Sequence, residues 1–598
     1  MKRFFSSAGL FLIACWVLGH DAVGQSVWPP NLHPDTLHAP FLHGVASGDP
    51  LADRVIIWTK ATPPSGQVGS IPVQWEVATD NSFSQIVRSG QGQAGPATDH
   101  CFKVDVDGLS PGTRYWYRFR DSLGRVSTTG RTKTAAGNSS QQIRLAVASC
   151  SSIYSGFFNA YERIGQRHDL DLVVHLGDYI YDFVDPDEEI RVPSPYPAGP
   201  ITLQDWRDRH AYYLLDPDLR LARSRHPWTA IWDNHDLDNA TNPEPKQAFF
   251  EYLPIRRPDS NNIHQIYRKL SYGNLLDVFL LDVTTQRNID TLTGGNYSIL
   301  GDSQWTWLSN ELLNSTAQWK VIGNERMVGN FSLNGLPGFI PFGDGPVADS
   351  SAWDGFTEDR DRILNFLASN SIHNTIFLSG DIHMSFACDL APSSNAYDPQ
   401  TGAGSVAVEF LPTSISRGNF DEAGFGGFLA DLAQTAMAAA NPHHVFEELE
   451  QHGYGVLDIT AAQATGEYWY SEILNPSSNE TFGNAFQCLS GQDHWDRNPV
   501  ANPTVYVDES QGLFTLKVWP NPVSGDGLNW QIRVDADLEI DLELISVASG
   551  QQVWKEKKPV FSQQDFLGQI QTKNLASGLY LLRINGQNGP KIMVENNR

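Results

Sequence analysis

Leu172-Val-Val-His-Leu-Gly-Asp-Tyr-Ile-Tyr181 joins a short apolar run to a polar turn that begins with Gly177 and Asp178. An apolar run of this length, bounded by a turn, is typical of a strand that is buried on both faces of an α/β sheet. In open α/β sheets, functional groups lie just beyond the carboxyl ends of the strands. The stretch therefore predicts a sheet and also the edge of that sheet where a site should lie.

The same arrangement recurs along the chain, because five further apolar runs end in residue types that bind metals or phosphate. The runs are 144–148, 229–232, 278–281, 320–322 and 375–378. The polar residues that follow them include Cys150, Asn234, His235, Asp282, Asn324, Glu325, Asp381 and His383. Residues 157–167 and 360–369 are predicted to form helices between the strands. This alternation favours a layered α/β domain over residues 143–505.

Each of these residues alone has an ordinary structural explanation. A Gly-Asp pair after a strand is often only a turn, and Cys150 is by default a small buried hydrophobe. His235 can be the neighbour of a helix cap, Tyr181 a packed aromatic, and Asp282 the partner of Arg287 in a salt bridge. The recurrence at six strand ends favours one shared site over six separate coincidences.

The donor types predict a centre with more than one kind of metal ion. Thiol and phenol groups favour a soft or highly charged ion such as iron, whereas carboxylate and amide oxygens favour calcium, magnesium or manganese. Two ions about 3.5–4 Å apart can share a bridging oxygen and generate hydroxide near neutral pH. We therefore expect a metal-bound hydroxide to attack phosphorus in line, in the hydrolysis of a phosphate ester.

The strand-end motifs resemble those of the PhoD-like alkaline phosphatases, a branch of the metallophosphoesterases. The carrying motifs are Ala148-Ser-Cys150, Gly177-Asp-Tyr-Ile-Tyr181, Trp232-Asp-Asn-His235 and Ser379-Gly-Asp-Ile-His383, and segments 44–50 and 55–59 resemble the family's N-terminal domain. The resemblance covers roughly residues 41–480. It implies a metallophosphoesterase-like catalytic domain and an alkaline phosphatase or phosphodiesterase activity on mono- or diesters, a choice that the sequence leaves open.

The resemblance also implies roles for single residues. Cys150, Asp178 and Tyr181 are expected around Fe3+, with Asp178 also facing a second metal. The expected ligands on the Ca2+ side, or between the two ions, are Asn234, Asp381 and His383, and other divalent metals are possible.

His235 and Asp178 are the expected catalytic residues, with His235 near the leaving group. Further candidate ligands are Asn239, Asp282, Asn324 and Glu325. Two departures from the family pattern stand out. Asn234 stands where many members carry an acidic residue, and the stretch 323–327, Gly-Asn-Glu-Arg-Met, fits the family's Gly-x-Gln-x-Met only loosely.

Two smaller all-β units are predicted to flank the catalytic domain. Residues 41–135 alternate like a β-sandwich, and segment 109–115 resembles the tyrosine-bearing turn of fibronectin type III domains. Residues 514–598 resemble the sorting domain of the type IX secretion system through Trp519-Pro-Asn-Pro522 and Ser577-Gly-Leu-Tyr-Leu-Leu582. That resemblance implies handling by the type IX machinery, passage through the periplasm and release or display at the outer cell surface. The alternative is a further β-sandwich with a structural role.

The first 24 residues read as a signal peptide. Lys2 and Arg3 precede the apolar run 10–18, and Ala22-Val-Gly24 offers a cleavage site. Cys15 lies in a sequence that also resembles a lipoprotein box, so ordinary cleavage and lipidation are both open. No other stretch is apolar enough to predict a transmembrane helix in the mature chain.

The remaining bulk properties restrict the function classes. A net charge of -26 disfavours a nucleic-acid partner, since such proteins carry a basic face. Four cysteines outside the signal are too few for a disulfide scaffold, although Cys388 and Cys488 can pair in an oxidising compartment. A non-catalytic surface adhesion or carbohydrate-binding protein is the alternative to the phosphate-ester hydrolase.

Overall fold

A computed structural model describes residues 31–594 apart from 65, 67–68, 139, 185–187, 197–198, 288–296, 335–349, 501–504, 508–513, 520–526, 535–537, 547–551, 561–564, 574 and 585–586. The predicted signal peptide (1–24), with Cys15, lies outside the described residues. So do Pro520, Asn521 and Pro522 of the C-terminal motif.

The described part of residues 31–133 contains seven strands. They are β1 (Val45–Gly48), β2 (Val55–Lys60), β3 (Ile71–Ala78), β4 (Ile86–Ala94), β5 (Cys101–Val106), β6 (Arg114–Asp121) and β7 (Gly130–Lys133). Short 3-10 turns occupy Thr36–His38 and Pro96–Thr98. Four of the strands form a sheet of their own in the order β4-β3-β6-β7, whereas β1, β2 and β5 belong to a larger sheet that continues into the central region.

The central region alternates strands with helices, as the apolar runs predict. Its elements are β8 (Gln142–Ala148), α1 (Asn159–Gln166), β9 (Leu172–Leu176), α2 (Leu203–Tyr213), α3 (Pro217–Arg225), β10 (Pro227–Ile231), α4 (Pro243–Tyr252), β11 (Arg268–Tyr272), β12 (Leu276–Leu280), α5 (Asp302–Asn314), β13 (Trp319–Gly323), α6 (Thr357–Ser369), β14 (Thr375–Leu378), β15 (Ser385–Leu390), β16 (Ala407–Leu411), α7 (Phe428–Ala440), β17 (His444–Glu448), β18 (Gly453–Thr460), β19 (Gln463–Tyr470) and β20 (Thr481–Leu489). Further 3-10 turns lie at Asn234–Asp236, Trp353–Gly355 and Ser394–Ala396. All six predicted strands are present, and the two predicted helices correspond to α1 and α6.

Two sheets form the middle of the molecule. A nine-stranded sheet has the order β20-β19-β18-β8-β9-β10-β1-β2-β5, and a seven-stranded sheet has the order β11-β12-β13-β14-β16-β15-β17. Strands β8, β9 and β10 are parallel to one another, as are β12, β13, β14 and β16. The fold is therefore a mixed α/β fold with several sheets.

Successive side chains of a strand point to opposite faces of the sheet, and both faces are packed here, so the buried strands have nearly continuous apolar sequences. In β8, Leu145 and Val147 belong to a core shared with Val278 of β12 and Ile376 of β14, so this face of one sheet packs on the other sheet. Ala146, the intervening residue of β8, belongs instead to a core built with helices α1–α4. The opposite face of the seven-stranded sheet is covered by α5 and α6. Because both faces of each sheet are largely buried, apolar residues predominate in the strand interiors.

A buried ion pair joins the N-terminal strands to both large sheets. Arg268 of β11 donates from Nε and Nη2 to the two carboxylate oxygens of Asp49, at 2.9 and 3.0 Å, and Thr229 of β10 donates to the same carboxylate at 2.8 Å. Asp49 follows β1 and is fully buried. The stretch 41–135 is thus structurally continuous with the central region.

The C-terminal residues form two four-stranded sheets. The strands are β21 (Val505–Val507), β22 (Phe514–Trp519), β23 (Gly527–Val534), β24 (Leu538–Ser546), β25 (Gln552–Val560), β26 (Asp565–Gln571), β27 (Gly578–Ile584) and β28 (Gln587–Val594). Their orders are β21-β22-β23-β26 and β25-β24-β27-β28. In the part of the chain that the structure describes, none of these eight strands pairs with a strand of the other sheets.

Two further features bear on the sequence interpretation. Cys101, Cys150, Cys388 and Cys488 are all buried free thiols, so the pairing of Cys388 with Cys488 is not formed in this structure. Among the described helices, none has the length and apolar character needed to cross a membrane.

Candidate metal centre

The turns that end three strands carry four of the candidate ligands in a strained backbone conformation. Cys150, Asp178, Asp381 and His383 all have a positive φ, at 56°, 51°, 70° and 60°. Such angles are costly for residues other than glycine, and strain of this kind is concentrated at functional sites. Three turns carry these residues, after β8, β9 and β14, and Asp381 and His383 share the turn after β14.

One group of ligand atoms combines a thiol, a carboxylate and an imidazole. The ligand atoms of Cys150, Asp178 and His383 all lie within 4.8 Å of one another. The Cys150 Sγ lies 3.9 Å from Asp178 Oδ2, and the Tyr181 hydroxyl lies 3.3 Å from His383 Nε2. The geometry therefore brings together four of the residues that the sequence predicts as ligands.

A second group consists of carboxylates. Ligand atoms of Asp178, Asp233 and Asp381 also lie within 4.8 Å of one another. Asp178 belongs to both groups, which is the position that a ligand shared between two cations takes. Asn234 lies beside the second group, because its Oδ1 and that of Asp233 accept hydrogen bonds from the same guanidinium nitrogen, Arg326 Nη2.

Sequence analysis did not select Asp233, which the structure adds to the candidate ligands. The signal was available, since Asp233 lies between Trp232 and Asn234 in a motif that was singled out for its other members. Its carboxylate is buried, and it also accepts a hydrogen bond from the Thr284 hydroxyl at 2.6 Å.

Gly177 permits the close approach of the two aspartate-bearing turns. Its φ is 100°, and a Cβ on it would lie 2.6 Å from the Asp233 Cβ. A larger residue here would push Asp233 away from Asp178, so the glycine before Asp178 has a steric role and not only a turn-forming one.

Burial and crowding of like charges disturb the titration of the ligand groups. Burial raises the pKa of Asp178 to about 6, and the neighbouring Asp233 carboxylate adds to that shift against the opposing charges of His235 and Arg326. The pKa values of the Cys150 thiol and the Tyr181 phenol are both raised well above their ordinary ranges, by burial and then by the Asp178 charge. Burial lowers the pKa of His383 to about 3. A cation at this position would reverse the thiol and phenol shifts, because it favours the deprotonated form of each ligand.

His235 lies at the solvent side of the centre. Its Nδ1 lies 2.9 Å from Asp182 Oδ1, and its ring packs on the Tyr181 ring with the centroids 4.2 Å apart. Burial disfavours the imidazolium, but the charges of Asp178 and Asp182 outweigh burial and raise the pKa of His235. The side chain remains 25% exposed, so the ring can meet a bound molecule.

Two arginines that the sequence interpretation did not select also belong to the site. Arg326 contacts the carboxylates of Asp233 and Asp381, at 2.9 and 2.6 Å. The Arg417 guanidinium lies over the Tyr181 ring, 5.3 Å from its centroid, and forms an ion pair with Glu188. Arg326 lies in the stretch 323–327 at a position that the family pattern leaves variable, and Arg417 follows the end of β16 by six positions.

A cavity of about 350 Å³ opens beside Asp381 and His383. Apolar side chains of Phe331, Met384 and Phe420 line one part of it, and Arg417 lines another. The candidate ligands therefore border a space with both charged and apolar walls.

The four remaining candidate residues lie outside the two ligand groups. Asp282 accepts hydrogen bonds from the Thr285 N–H at 2.7 Å and from the Thr285 hydroxyl. Arg287, which the sequence analysis names as a salt-bridge partner for Asp282, donates to the Ser351 carbonyl, 3.4 Å away. Asn239 accepts from the N–H groups of Thr241 and Asn242, at 3.0 and 2.9 Å. Both side chains stabilise their own turns.

Asn324 and Glu325 are buried behind the centre. The Asn324 amide donates to Leu378 O and Ser379 Oγ and accepts from Trp353 Nε1, at 3.2, 3.0 and 2.9 Å. Glu325 Oε2 accepts from the Val283 N–H at 3.0 Å, and burial raises the pKa of Glu325 well above its usual range, helped by Asp282 and Asp233. These two residues hold the turn that positions Arg326.

The donor set fits the predicted metals. Thiol, phenol and imidazole in one group suit iron, whereas the carboxylates of the other group suit a hard ion such as calcium. The convergence of these groups supports the fit, because one guanidinium, that of Arg326, faces the three carboxylates of Asp178, Asp233 and Asp381, and a further cation would offset the remaining negative charge.

Comparisons with known proteins identify the family of each part of the chain. Residues 145–468 match the PhoD-like phosphatase family, residues 27–136 match its N-terminal domain, and residues 517–595 match the secretion system C-terminal sorting domain. Alkaline phosphatase D of Bacillus subtilis (strain 168) is 34% identical, with 78% of this chain and 83% of that protein aligned. A solved structure of PhoD superposes with a TM-score of 0.68 at 31% identity, covering 78% of this chain and 93% of that one.

Proposed function

This chain belongs to the PhoD-like phosphatase family, and from that premise we propose that it hydrolyses phosphate mono- or diesters outside the cell with bound Fe3+ and Ca2+. Membership makes it a phosphoric ester hydrolase, and residues 517–595 are a type IX sorting domain. The observation that carries the metal proposal is the position of Asp178 in both ligand groups.

The proposed ligands divide between two cations. Cys150, Tyr181 and His383 would hold Fe3+ together with Asp178. The Ca2+ side would be formed by Asp233, Asn234 and Asp381, again with Asp178, and other divalent ions have the same donor preferences. When bound, such cations neutralise phosphate charge and supply an activated water for in-line attack on phosphorus.

The chain's own residues supply the remaining parts of the reaction. His235 is held by Asp182 at 2.9 Å and is poised to donate a proton to the departing alkoxide, since its raised pKa favours the protonated imidazole. Arg417 lies on the wall of the cavity beside His383 and offers a fixed positive charge for a phosphate oxygen. The apolar wall at Phe331, Met384 and Phe420 would receive the alcohol part of the ester.

The proposal also assigns a role to each segment of the chain. Residues 1–24 would direct export, 143–505 would carry the chemistry, 41–135 would form a fibronectin III-like unit that extends the catalytic sheet, and 514–598 would form the all-β unit recognised by the type IX machinery. The enzyme would be released or displayed at the outer surface after passing through the periplasm.

The proposal is tested by metal analysis of the purified protein combined with hydrolysis of p-nitrophenyl phosphate and bis-p-nitrophenyl phosphate. We expect iron and calcium in the protein and loss of activity after chelation and in Asp178→Asn, which keeps the side-chain volume but removes the shared charge. The ratio of the two rates ranks monoesters against diesters. A folded protein that binds neither metal and hydrolyses neither ester after addition of iron and calcium would refute the proposal.

A non-catalytic adhesion or carbohydrate-binding role is not favoured. Such a protein has no need for a buried thiol, phenol, imidazole and carboxylates that converge at the ends of separate strands.

A further inference from the structure

Arg326 lies among the oxygens that the second cation would bind. Its Nη2 donates to Asp233 Oδ1 at 2.9 Å and to Asn234 Oδ1 at 2.8 Å. Its Nη1 lies 2.6 Å from Asp381 Oδ1. One guanidinium therefore contacts three oxygen donors of the proposed calcium side.

The turn after β13 holds this guanidinium in place. The Arg326 N–H donates to Asn324 Oδ1 at 3.1 Å, and the Asn324 side chain is itself hydrogen-bonded to Ser379 and Trp353. The Arg326 side chain is only 8% exposed. Its position is thus fixed by buried neighbours.

A guanidinium and a divalent ion compete for such oxygens. Arginine keeps its positive charge at any working pH, and it satisfies carboxylate oxygens through directed hydrogen bonds. A cation seated on the same oxygens would lie within a few ångströms of that charge, in surroundings that screen repulsion poorly. The Arg326 guanidinium and a bound cation therefore cannot both contact the oxygens of Asp233 and Asp381 in their preferred geometry.

We propose that Arg326 is a built-in cation of the second metal position, and that a calcium ion binds there by displacing the guanidinium from Asp233 and Asp381. The inference rests on the proposed function, because it takes the group of Asp178, Asp233 and Asp381 as the second cation site. It distinguishes the calcium side, where a guanidinium is hydrogen-bonded to the ligand oxygens, from the iron side, where the Arg417 guanidinium packs on the Tyr181 ring. Calcium affinity is then in the weak range that suits calcium-rich surroundings outside cells, rather than that of a permanent structural ion.

The test is calcium titration of the full-length mature protein by calorimetry, with iron content measured on the same samples. Arg326→Met keeps the length of the side chain and removes its charge, and we expect it to bind calcium at least tenfold more tightly than the wild type. Arg326→Lys keeps a charge and should stay within about threefold of the wild type. Arg360→Met is the matched control, because Arg360 also pairs with a carboxylate, Asp354, but lies outside the centre; its calcium affinity should not change.

Unchanged or weaker calcium binding by Arg326→Met, with iron retained, would overturn the inference while leaving the proposed function intact. Absence of calcium binding and of ester hydrolysis in the wild type would overturn both. Crystals of the wild-type protein with and without calcium give a second readout that does not depend on a variant folding. We expect the Arg326 guanidinium to leave Asp233 and Asp381 when calcium is present, and an ion bound beside an unmoved guanidinium would contradict the inference.

Discussion

Two buried aspartates at strand ends show how much depends on a residue's surroundings. Asp233 follows β10 and shares a ligand group with Asp178 and Asp381. Asp282 follows β12 and accepts two hydrogen bonds from Thr285 instead. The two are alike in residue type and in burial, so their difference lies in which neighbours the fold gives them.

Substitution of these two aspartates by asparagine should separate a ligand from a turn-forming residue. We expect Asp233→Asn to lower kcat/KM for p-nitrophenyl phosphate by at least about 100-fold, because a charged group of the centre is lost. Asp282→Asn keeps an oxygen for the Thr285 N–H, so its kcat/KM should stay within about threefold of the wild type. Equal losses in both variants, measured with the melting temperature as a check on folding, would contradict the assignment of Asp233 to the centre.

At the scale of the element, helix α2 shows how packing around the site fixes protonation. The helix begins at a capping box formed by Thr202 and Asp205 and places His210 between the rings of Tyr179 and Tyr252, with centroid distances of 6.1 and 5.2 Å. Both ring nitrogens of His210 are buried, and neither has a hydrogen-bond partner among the described residues. Burial, reinforced by the Arg223 charge, lowers the pKa of His210 to about 3.

His210→Phe should stabilise the protein, most of all in acid. Between pH 6.5 and pH 3 the unfolded chain takes up a proton at this histidine while the folded chain does not, so the wild type loses stability as the pH falls. The variant lacks this loss, so its advantage in the free energy of unfolding over the wild type should grow by about 2 kcal/mol between pH 7 and pH 5. Removal of the two unsatisfied nitrogens should stabilise the variant further. Urea unfolding of both proteins at pH 7 and pH 5 measures this difference in the free energy of unfolding. An equal change in the two proteins between these pH values would refute the prediction.

The Asp236 carboxylate links the turn that follows β9 to the turn that follows β10, and both turns carry candidate ligands. It accepts from the backbone N–H groups of Tyr179, Ile180 and Asp233, at 3.3, 3.0 and 3.0 Å. The turns after β9 and β10 are therefore held at a fixed distance by a residue that contributes no atom to either ligand group.

Asp236→Ala should loosen the centre without removing a ligand. Three buried N–H groups would lose their acceptor, which predicts a loss of roughly 3 kcal/mol or more in the free energy of unfolding. Iron content should fall together with kcat/KM, since Asp178 and Asp233 are no longer held in register. Full stability with normal iron content in the purified variant would show that the carboxylate is dispensable.

For the whole molecule, the strand order determines which parts can be removed. Strands β1, β2 and β5 complete the nine-stranded sheet, and Asp49 is the partner of Arg268 in the other large sheet. Strands β21–β28, in contrast, form two sheets of their own among the described residues. Removal of the two ends of the chain should therefore have opposite consequences.

A chain that starts at residue 140 should fail to fold, whereas one that ends at Val500 should keep the melting temperature and kcat/KM of the full chain. The first loses one edge of the catalytic sheet and exposes β10, and it also leaves Arg268 buried without Asp49. The second loses only strands that pair with one another. Soluble, active protein from the first variant, or a lower melting temperature in the second, would contradict this reading of the sheets.

The variant that ends at Val500 also tests the role of the sorting domain. In a bacterium with a type IX system, we expect its phosphatase activity to remain in the periplasmic fraction, while the full chain delivers activity to the medium or the outer surface. Equal distribution of the two proteins would show that the C-terminal residues do not direct export.

The sequence by itself determined six strands and two helices of the central region and the family, together with the ligand types at the strand ends. These are local properties, since an apolar run buried on both faces and the turn that follows it are written in consecutive residues. Only the tertiary structure decided which of those ends meet. It brought Cys150, Asp178, Tyr181, Asp381 and His383 together, added Asp233 and Arg326, and left Asn239, Asp282, Asn324 and Glu325 to hold turns. Strand order and hydrogen-bond partners arise from contacts between residues far apart in the chain, and a short stretch of sequence carries no record of them.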